Sequence, residues 1–445
     1  MRKITDIKSR LIYNSRGSET IEVDVHVDDI VGTASSPAGA SVGKFEAVSF
    51  RNSKCQDTIE YLDKYKSHLI GADTSDIYNL KNILKEADKT DNYSNIGGSA
   101  AYAISLASVD AASQILNKPI YEILLNGKPA EMPLPLGNVL GGGMHAGNGS
   151  TDIQEFLSYP LGADSIRSGI QANLMVHKEI KKIIDKKDSK FSGGKGDEGA
   201  WAPQLSNTEA LEVAQEAINT VSDVVGFEIR LGLDVASSSL WNPDKELYVY
   251  SRENKTRNTE EQIAYVLELI EKYNLIYIED PLHEEAFSDF TQLSSKSDNC
   301  LIVGDDLFVT NTSILQKGID QNAGNSVILK VNQAGALGDA MEFANLCNKH
   351  NYAIIASHRS GDTVDRHLAH IAIGSGSVMM KSGVVGGERI SKLNELIDQD
   401  NECDLKDVKD YFDKDKEKHR MSKKRRGRPN YSGESPISRH KLYVI

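Results

Sequence analysis

Four short apolar runs decide the fold of this chain: "LIYIED" (Leu275–Asp280), "LIVGDD" (Leu301–Asp306), "SVILKV" (Ser326–Val331) and "YAIIASH" (Tyr352–His358). Each reads as a buried strand that ends on a charged or titratable side chain, and an upstream run, "FEIRLGLDV" (Phe227–Val235), ends the same way. From Glu279 onward the polar ends recur roughly every 25 residues, the length of one strand plus one helix. An intervening helix is well marked. Thr259 and Gln262 have capping-box spacing, and Ile263, Val266, Leu267 and Ile270 form one apolar face. Strands alternating with such helices predict an α/β barrel, in which strand ends converge on one rim. Asp234, Glu279, Asp305, Lys330 and His358 are then neighbours in space.

The chemistry follows from their charges. Three carboxylates around one point repel unless a divalent cation neutralises them, and oxygen ligands favour Mg²⁺ or Mn²⁺ over zinc. A lone lysine in an apolar strand has two readings, a side chain that snorkels to water or a base in a closed site. Beside a cation, both burial and like charge disfavour the Lys330 ammonium, which selects the base. Such a base suits removal of a proton α to a carboxylate, with metal ions stabilising the enediolate. The departing group then needs an acid. "KGDEGAWAP" (Lys195–Pro203) offers Glu198 and "DIQEF" (Asp152–Phe156) offers Glu155, two carboxyls able to share a proton if they come close, although Glu198 could instead cap a loop.

Working outward, residues 1–130 have α+β character, with the alternating run "TIEVDVHVDD", the small-residue loop "GTASSPAGASVGKFEA" and the helical "GSAAYAISLASVDAASQIL". A proline-punctuated stretch, "NGKPAEMPLPLGNVLGGG", marks a boundary near 130. The barrel is expected over 131–399, and a charged carboxyl-terminal extension over 400–445. The 445 residues exceed the usual size of a single core. A net charge of -13 argues against a protein that binds nucleic acid over its whole surface. Four scattered cysteines without CxxC spacing fit a reducing compartment, so a soluble cytoplasmic protein is expected. No stretch has the length of a signal peptide core or of a membrane span.

The chain resembles the enolase (phosphopyruvate hydratase) family from about Ile12 to Ile397. "NSRGSETIEV", "GGMHAGN", "DIQEF", "GDEGAWAP", "GLDVAS", "IEDP", "GDD", "LKVNQAG" and "SHRSGDT" occur in the family's order. The resemblance implies an amino-terminal α+β domain capping an atypical barrel whose first strands break the βα alternation. It also implies reversible dehydration of 2-phosphoglycerate to phosphoenolpyruvate with two Mg²⁺ ions, in a dimer or a higher oligomer of dimers. By the same resemblance Asp234, Glu279 and Asp305 hold the first metal and Ser41 the second. Lys330 is the base and Glu198 the acid, assisted by Glu155. His145 and His358 line the substrate pocket, Arg359 and Ser360 bind phosphate, and Lys381 in "MMKSG" meets the substrate carboxylate.

Some positions depart from the family pattern. In the loop Pro37–Gly43, Ala38 and Val42 replace the usual serine and threonine. Ser239, Phe287 and His370 stand where glutamate, tryptophan and aspartate are common. These changes bear on lid closure, second-metal affinity and substrate range. They keep open an enzyme acting on another phosphorylated or phosphonate carboxylate, or a binding protein that has kept the fold. The extension carries "KKRRGRP" (Lys423–Pro429) in a polar, charge-blocked setting that reads as disordered. "RGRP" resembles the core of an AT-hook, but a solvated tail is the preferred reading over nucleic-acid contact.

Overall fold

The computed structural model describes residues 2–39, 43, 45–147, 149–297, 299–400, 403–409 and 411–412. Its first part is an antiparallel meander of Asp6–Tyr13, Glu19–Val27 and Ile30–Ser35. Alternation in "ETIEVDVHV" buries Ile21, Val23, Val25 and Val27 on one face. The alanine-rich helix Gly98–Leu116 covers that face, its small side chains allowing close approach to the sheet.

The second part is a closed eight-stranded barrel. Its strands in chain order are Leu134–Gly141, Glu155–Tyr159, Arg230–Asp234, Tyr277–Glu279, Leu301–Gly304, Ser326–Leu329, Ala353–Ser357 and Met379–Gly383. Six of the eight neighbouring pairs are parallel. The second strand runs antiparallel to both its neighbours. Two helices, Ile166–Lys187 and Asn207–Val225, then follow with no strand between them. A reversed strand joins the first by a direct loop and needs no crossover helix, which is why the βα period is readable only from Phe227 onward. The expected atypical barrel is borne out.

The helix Thr259–Tyr273 lies where its apolar face predicts, but its cap is one residue earlier than the spacing suggests. Asn258 accepts from the Glu261 backbone at 2.9 Å and forms the capping box. Gln262 is instead fully buried, accepting from Tyr250 Oη at 3.0 Å and donating to the Pro281 carbonyl at 2.9 Å. No helix among the described residues is long and apolar enough to cross a membrane.

The packed structure also continues past the expected limit at 399. Asp404–Leu405 pairs with Glu131–Met132, and Lys406 reaches Glu131 at 3.1 Å and the Gly376 carbonyl at 2.9 Å. Val408, Tyr411 and Phe412 are buried, and Tyr411 Oη donates to the carbonyls of Asn325 and Asn351. Those carbonyls lie just before strands begin, so this strap crosses the barrel end opposite the rim where strands finish. The basic run from Lys423 lies outside the described residues.

Candidate active site

Of the expected strand ends, Asp234, Asp305, Lys330 and His358 line one cavity of about 400 Å³, within the size range of small-molecule sites, roughly 300–1,000 Å³, while Glu279 is fully buried behind that lining. Around the rim, Asp234, Glu279 and Asp305 come from three successive neighbouring strands and make a carboxylate arc. Lys330 follows on the next strand, then His358, then Lys381. Glu155 opens the reversed second strand, four strands from the one preceding Lys330 and so across the barrel from it. Because that strand runs the other way, its first residue, not its last, faces the rim.

Charges pack tightly along the arc. Lys381 Nζ contacts Glu279, lies 3.1 Å from Glu155 and donates to Asp234 at 3.3 Å. Burial disfavours its ammonium, but Glu155, Glu279 and Asp234 outweigh burial and hold it well above the usual lysine range. Asp234 also accepts from Gln154 at 3.2 Å and from the Ala236 backbone at 2.9 Å. Glu279 accepts from Tyr277, two residues back on the same strand face, while its Oε1 is buried with no hydrogen-bond partner among the described residues. Burial and the neighbouring Asp234 raise the Glu279 carboxyl to about 7.

Lys330 contacts Asp305, which also accepts from Gln333 at 3.1 Å. Burial pulls the Lys330 ammonium down, but Asp305 outweighs burial and raises it. The expectation of a lysine base was made for Lys330 beside a bound cation; here its ammonium pairs with Asp305, a group expected to ligate that cation.

The acid side is assembled from three segments. Asn138 on the first strand donates to Glu198 Oε2 at 2.9 Å. His145 Nδ1 lies 3.3 Å from Glu155 and 3.6 Å from Glu198, and His358 Nε2 lies 3.1 Å from Glu198. The loop carrying Glu198 turns through Gly199 at φ +82°. It lies so close to the last strand that a Cβ on Gly383 would sit 2.1 Å from the Glu198 carbonyl. Trp201 stacks on His177 at 4.7 Å and donates to the His177 carbonyl, while His177 Nε2 lies 3.0 Å from the Gly199 carbonyl.

These contacts split the titrations. Burial would raise Glu198, but the facing imidazoles of His358 and His145 hold it well below the usual carboxylate range. Burial and the nearby Glu198 raise Glu155. Burial pulls His145 down, but Glu198 and Glu155 carry it up to about 9. Burial, against the pull of Glu198, brings His358 down to about 4.

On the remaining wall, Arg359 donates to Asn332 at 3.0 Å and to Glu46 at 3.3 Å. Ser360 Oγ is buried with no hydrogen-bond partner among the described residues. The capping domain reaches this wall through paired backbone bonds between Ala38 and Gly361, at 2.7 and 2.9 Å. Ser41, expected to bind a second metal, lies outside the described residues. Ser239 borders the cavity, its hydroxyl bound to the Ala236 carbonyl at 2.8 Å.

An oxygen-only donor set with an unpartnered, buried Glu279 oxygen fits a hard divalent cation. Among the described residues two groups have ligand atoms within 4.8 Å of one another, Asp280 with Asp305 and Asp306, and His145 with Glu155 and Glu198; Asp234 and Glu279 belong to neither. Asp280 spends its oxygens on the backbone N–H groups of Asp305 and Asp306, at 3.0 and 2.8 Å, fixing that strand end. Asn138, Gln154, Gln333 and Glu46 were not among the expected site residues. All four stand inside stretches quoted above, Gln154 in "DIQEF" and Gln333 in "LKVNQAG", but none ends an apolar run and so none carries a spacing signal.

One barrel rim thus gathers three strand-end carboxylates, two lysines and a Glu155–Glu198 pair facing histidines. Residues 4–124 match the family model "Enolase, N-terminal domain" and residues 129–420 match "Enolase, C-terminal TIM barrel domain". The enolase of Methanosphaera stadtmanae is 47% identical over 88% of this chain and 96% of its own length. Those of Methanothermobacter thermautotrophicus and Archaeoglobus fulgidus are each 46% identical over 88% of this chain and 95% and 96% of their own lengths. The chain belongs to the enolase family. The expected class of activity, that of an enolase and hence a lyase, is borne out, and the family implies a divalent metal.

Proposed function

We propose that this protein reversibly dehydrates 2-phosphoglycerate to phosphoenolpyruvate, with Lys330 as base and Glu198 as the group that protonates the departing hydroxyl. The observation that carries the reading is that Lys330 and Glu155 stand on strand ends across the barrel from each other, with Glu198 joined to Glu155 through His145 in the same cavity. Removal of the C2 proton and protonation of the C3 hydroxyl then occur from opposite faces of the substrate.

Arg359 and Ser360 bind the phosphate, and the unpartnered Ser360 hydroxyl supports that role. Lys381 meets the substrate carboxylate, and His145 and His358 line the acid side. Asp234, Glu279 and Asp305 would hold the first Mg²⁺, with Mn²⁺ as a substitute, and Ser41 the second. Bound there, the cations supply positive charge that stabilises the dianionic enediolate. Once Asp305 is engaged elsewhere, the Lys330 ammonium loses its main support, and burial then favours the neutral amine. With Glu198 ionised in the resting site, its proton comes from the set it forms with Glu155 and His145, both of which are pushed towards their protonated forms.

The same reading assigns a dimer or a higher oligomer of dimers in the cytoplasm. Exposed Tyr13 and Val364, close to the backbone bond from Ser15 to Asp362, support a partnered face, and the absence of disulfides among the described residues supports a reducing compartment. The test is turnover of 2-phosphoglycerate, followed as phosphoenolpyruvate absorbance, with Mg²⁺ and with chelator. Turnover only with the metal is expected; none with either, or equal rates in chelator, would overturn the reading.

A further inference from the structure

Arg389, in the first turn of the helix Gly387–Asp398, is a fully buried arginine behind the wall of the cavity. Its guanidinium binds two walls of the site at once. Nη1 contacts His358 Nδ1 at 2.7 Å and the Arg359 carbonyl at 2.6 Å, with Asp362 at 3.3 Å. Nη2 donates to the Ser360 carbonyl at 2.8 Å and to the Asp197 carbonyl at 3.2 Å. The loop expected to bind phosphate and the loop that carries Glu198 are therefore held by one side chain.

A guanidinium has donors only and does not deprotonate in proteins, so the ring nitrogen it touches must accept. The Gly383 backbone N–H, 3.3 Å from the same His358 Nδ1, makes the same demand. A neutral imidazole carries one proton, and with Nδ1 committed as acceptor that proton resides on Nε2. Nε2 faces Glu198 Oε2 at 3.1 Å, close in distance but bent away from a straight hydrogen bond. Such contacts tighten when substrate binds.

We infer that Arg389 is a positioning residue that fixes His358 in the tautomer bearing its proton on Nε2, directed at Glu198, and that ties the histidine's loop to the loop of the acid. The inference rests on the reading of Glu198 and His358 as the acid side of the site. His358 then serves as a fixed hydrogen-bond donor and cannot relay a proton through Nδ1. The charged groups facing it are Glu198, Arg389 and Asp362.

The test uses full-length protein with ¹⁵N-labelled histidine. The His358 signals are assigned by their loss in His358→Gln. Wild-type protein should show a pyridine-like Nδ1 and a pyrrole-like Nε2 for His358, unchanged between about pH 6 and 9, the range in which an ordinary histidine titrates. Arg389→Met should mix the tautomers, bring His358 titration towards about 6.5, and lower kcat by on the order of 10²-fold with a new acidic limb in its pH profile. Arg389→Lys, which keeps a cationic donor, should recover part of both.

A protonated Nδ1 in the wild-type protein overturns the inference. So does an Arg389→Met variant that loses activity uniformly while keeping the wild-type tautomer and pH profile. Should Arg389→Met fail to fold, the wild-type spectrum and Arg389→Lys still decide. A protein that turned over no 2-phosphoglycerate would overturn the proposed function and leave the spectrum to decide this inference.

Discussion

Removing the divalent cation should expose a pH dependence of stability centred on Glu279. Its carboxyl is raised to about 7 from an ordinary 4.5 by burial and by Asp234. In the absence of metal the folded protein holds a proton there that the unfolded chain releases. The associated stability is fully present below about 4.5 and is lost as the pH rises through about 7. At 1.36 kcal/mol per pH unit, the gap corresponds to a loss on the order of 3 kcal/mol. A cation binds the ionised form, so it should offset the loss on the alkaline side, by about 2.7 kcal/mol when present at a hundred times its dissociation constant. The assay is denaturant unfolding in chelator between about pH 5 and 8, beside Glu279→Gln, which cannot titrate. Wild-type stability should fall with rising pH more steeply than that of the variant, and Mg²⁺ should flatten only the wild-type curve. Identical slopes in chelator would refute the reasoning.

Other perturbations separate the remaining roles. Lys330→Ala should abolish exchange of the substrate C2 proton with solvent, whereas Glu198→Gln should slow dehydration by about 10²–10⁴-fold and leave exchange measurable; equal loss of exchange in both variants, with substrate still bound, would deny them separate steps. Lys381→Met leaves Glu155, Asp234 and Glu279 without their shared cation and should cost about 3–5 kcal/mol in chelator at neutral pH, less on acidification. Unfolding curves that match wild type would contradict that. Ending the chain after Phe412 should leave turnover intact, while ending it before Cys403 removes buried Val408, Tyr411 and Phe412 and should cost about 1.5–3 kcal/mol for each. Thermal melts and turnover of both truncations check this.

The barrel was legible wherever apolar runs alternate with amphipathic helices, and with it the gathering of five candidate residues at one rim, because a parallel strand ends at the rim it faces. Glu155 escaped that rule since its strand runs backwards, so only its motif pointed to it. Gln262 has the right spacing for a cap but is drawn inward by Tyr250 and Pro281, partners no local pattern reveals. The same holds for Asn138 and Arg389, whose contacts span 60 and 31 residues of sequence. Lys330 was read as buried and is mostly so, with 12% of its side chain exposed, yet its pairing with Asp305 depends on side-chain directions that spacing does not encode. The limit drawn at 399 came from the loss of motif resemblance there, which says nothing about whether Val408 and Phe412 pack.

The strap from Cys403 to Phe412 has a practical consequence for handling the protein. Since it crosses the barrel end opposite the rim, Phe412 lies on the side facing away from the cavity. An affinity tag, a fluorophore or a fused domain added downstream should leave substrate access untouched. A surface that captures protein ended at Phe412 by this terminus should face away from the cavity, so immobilised and dissolved protein should share one KM.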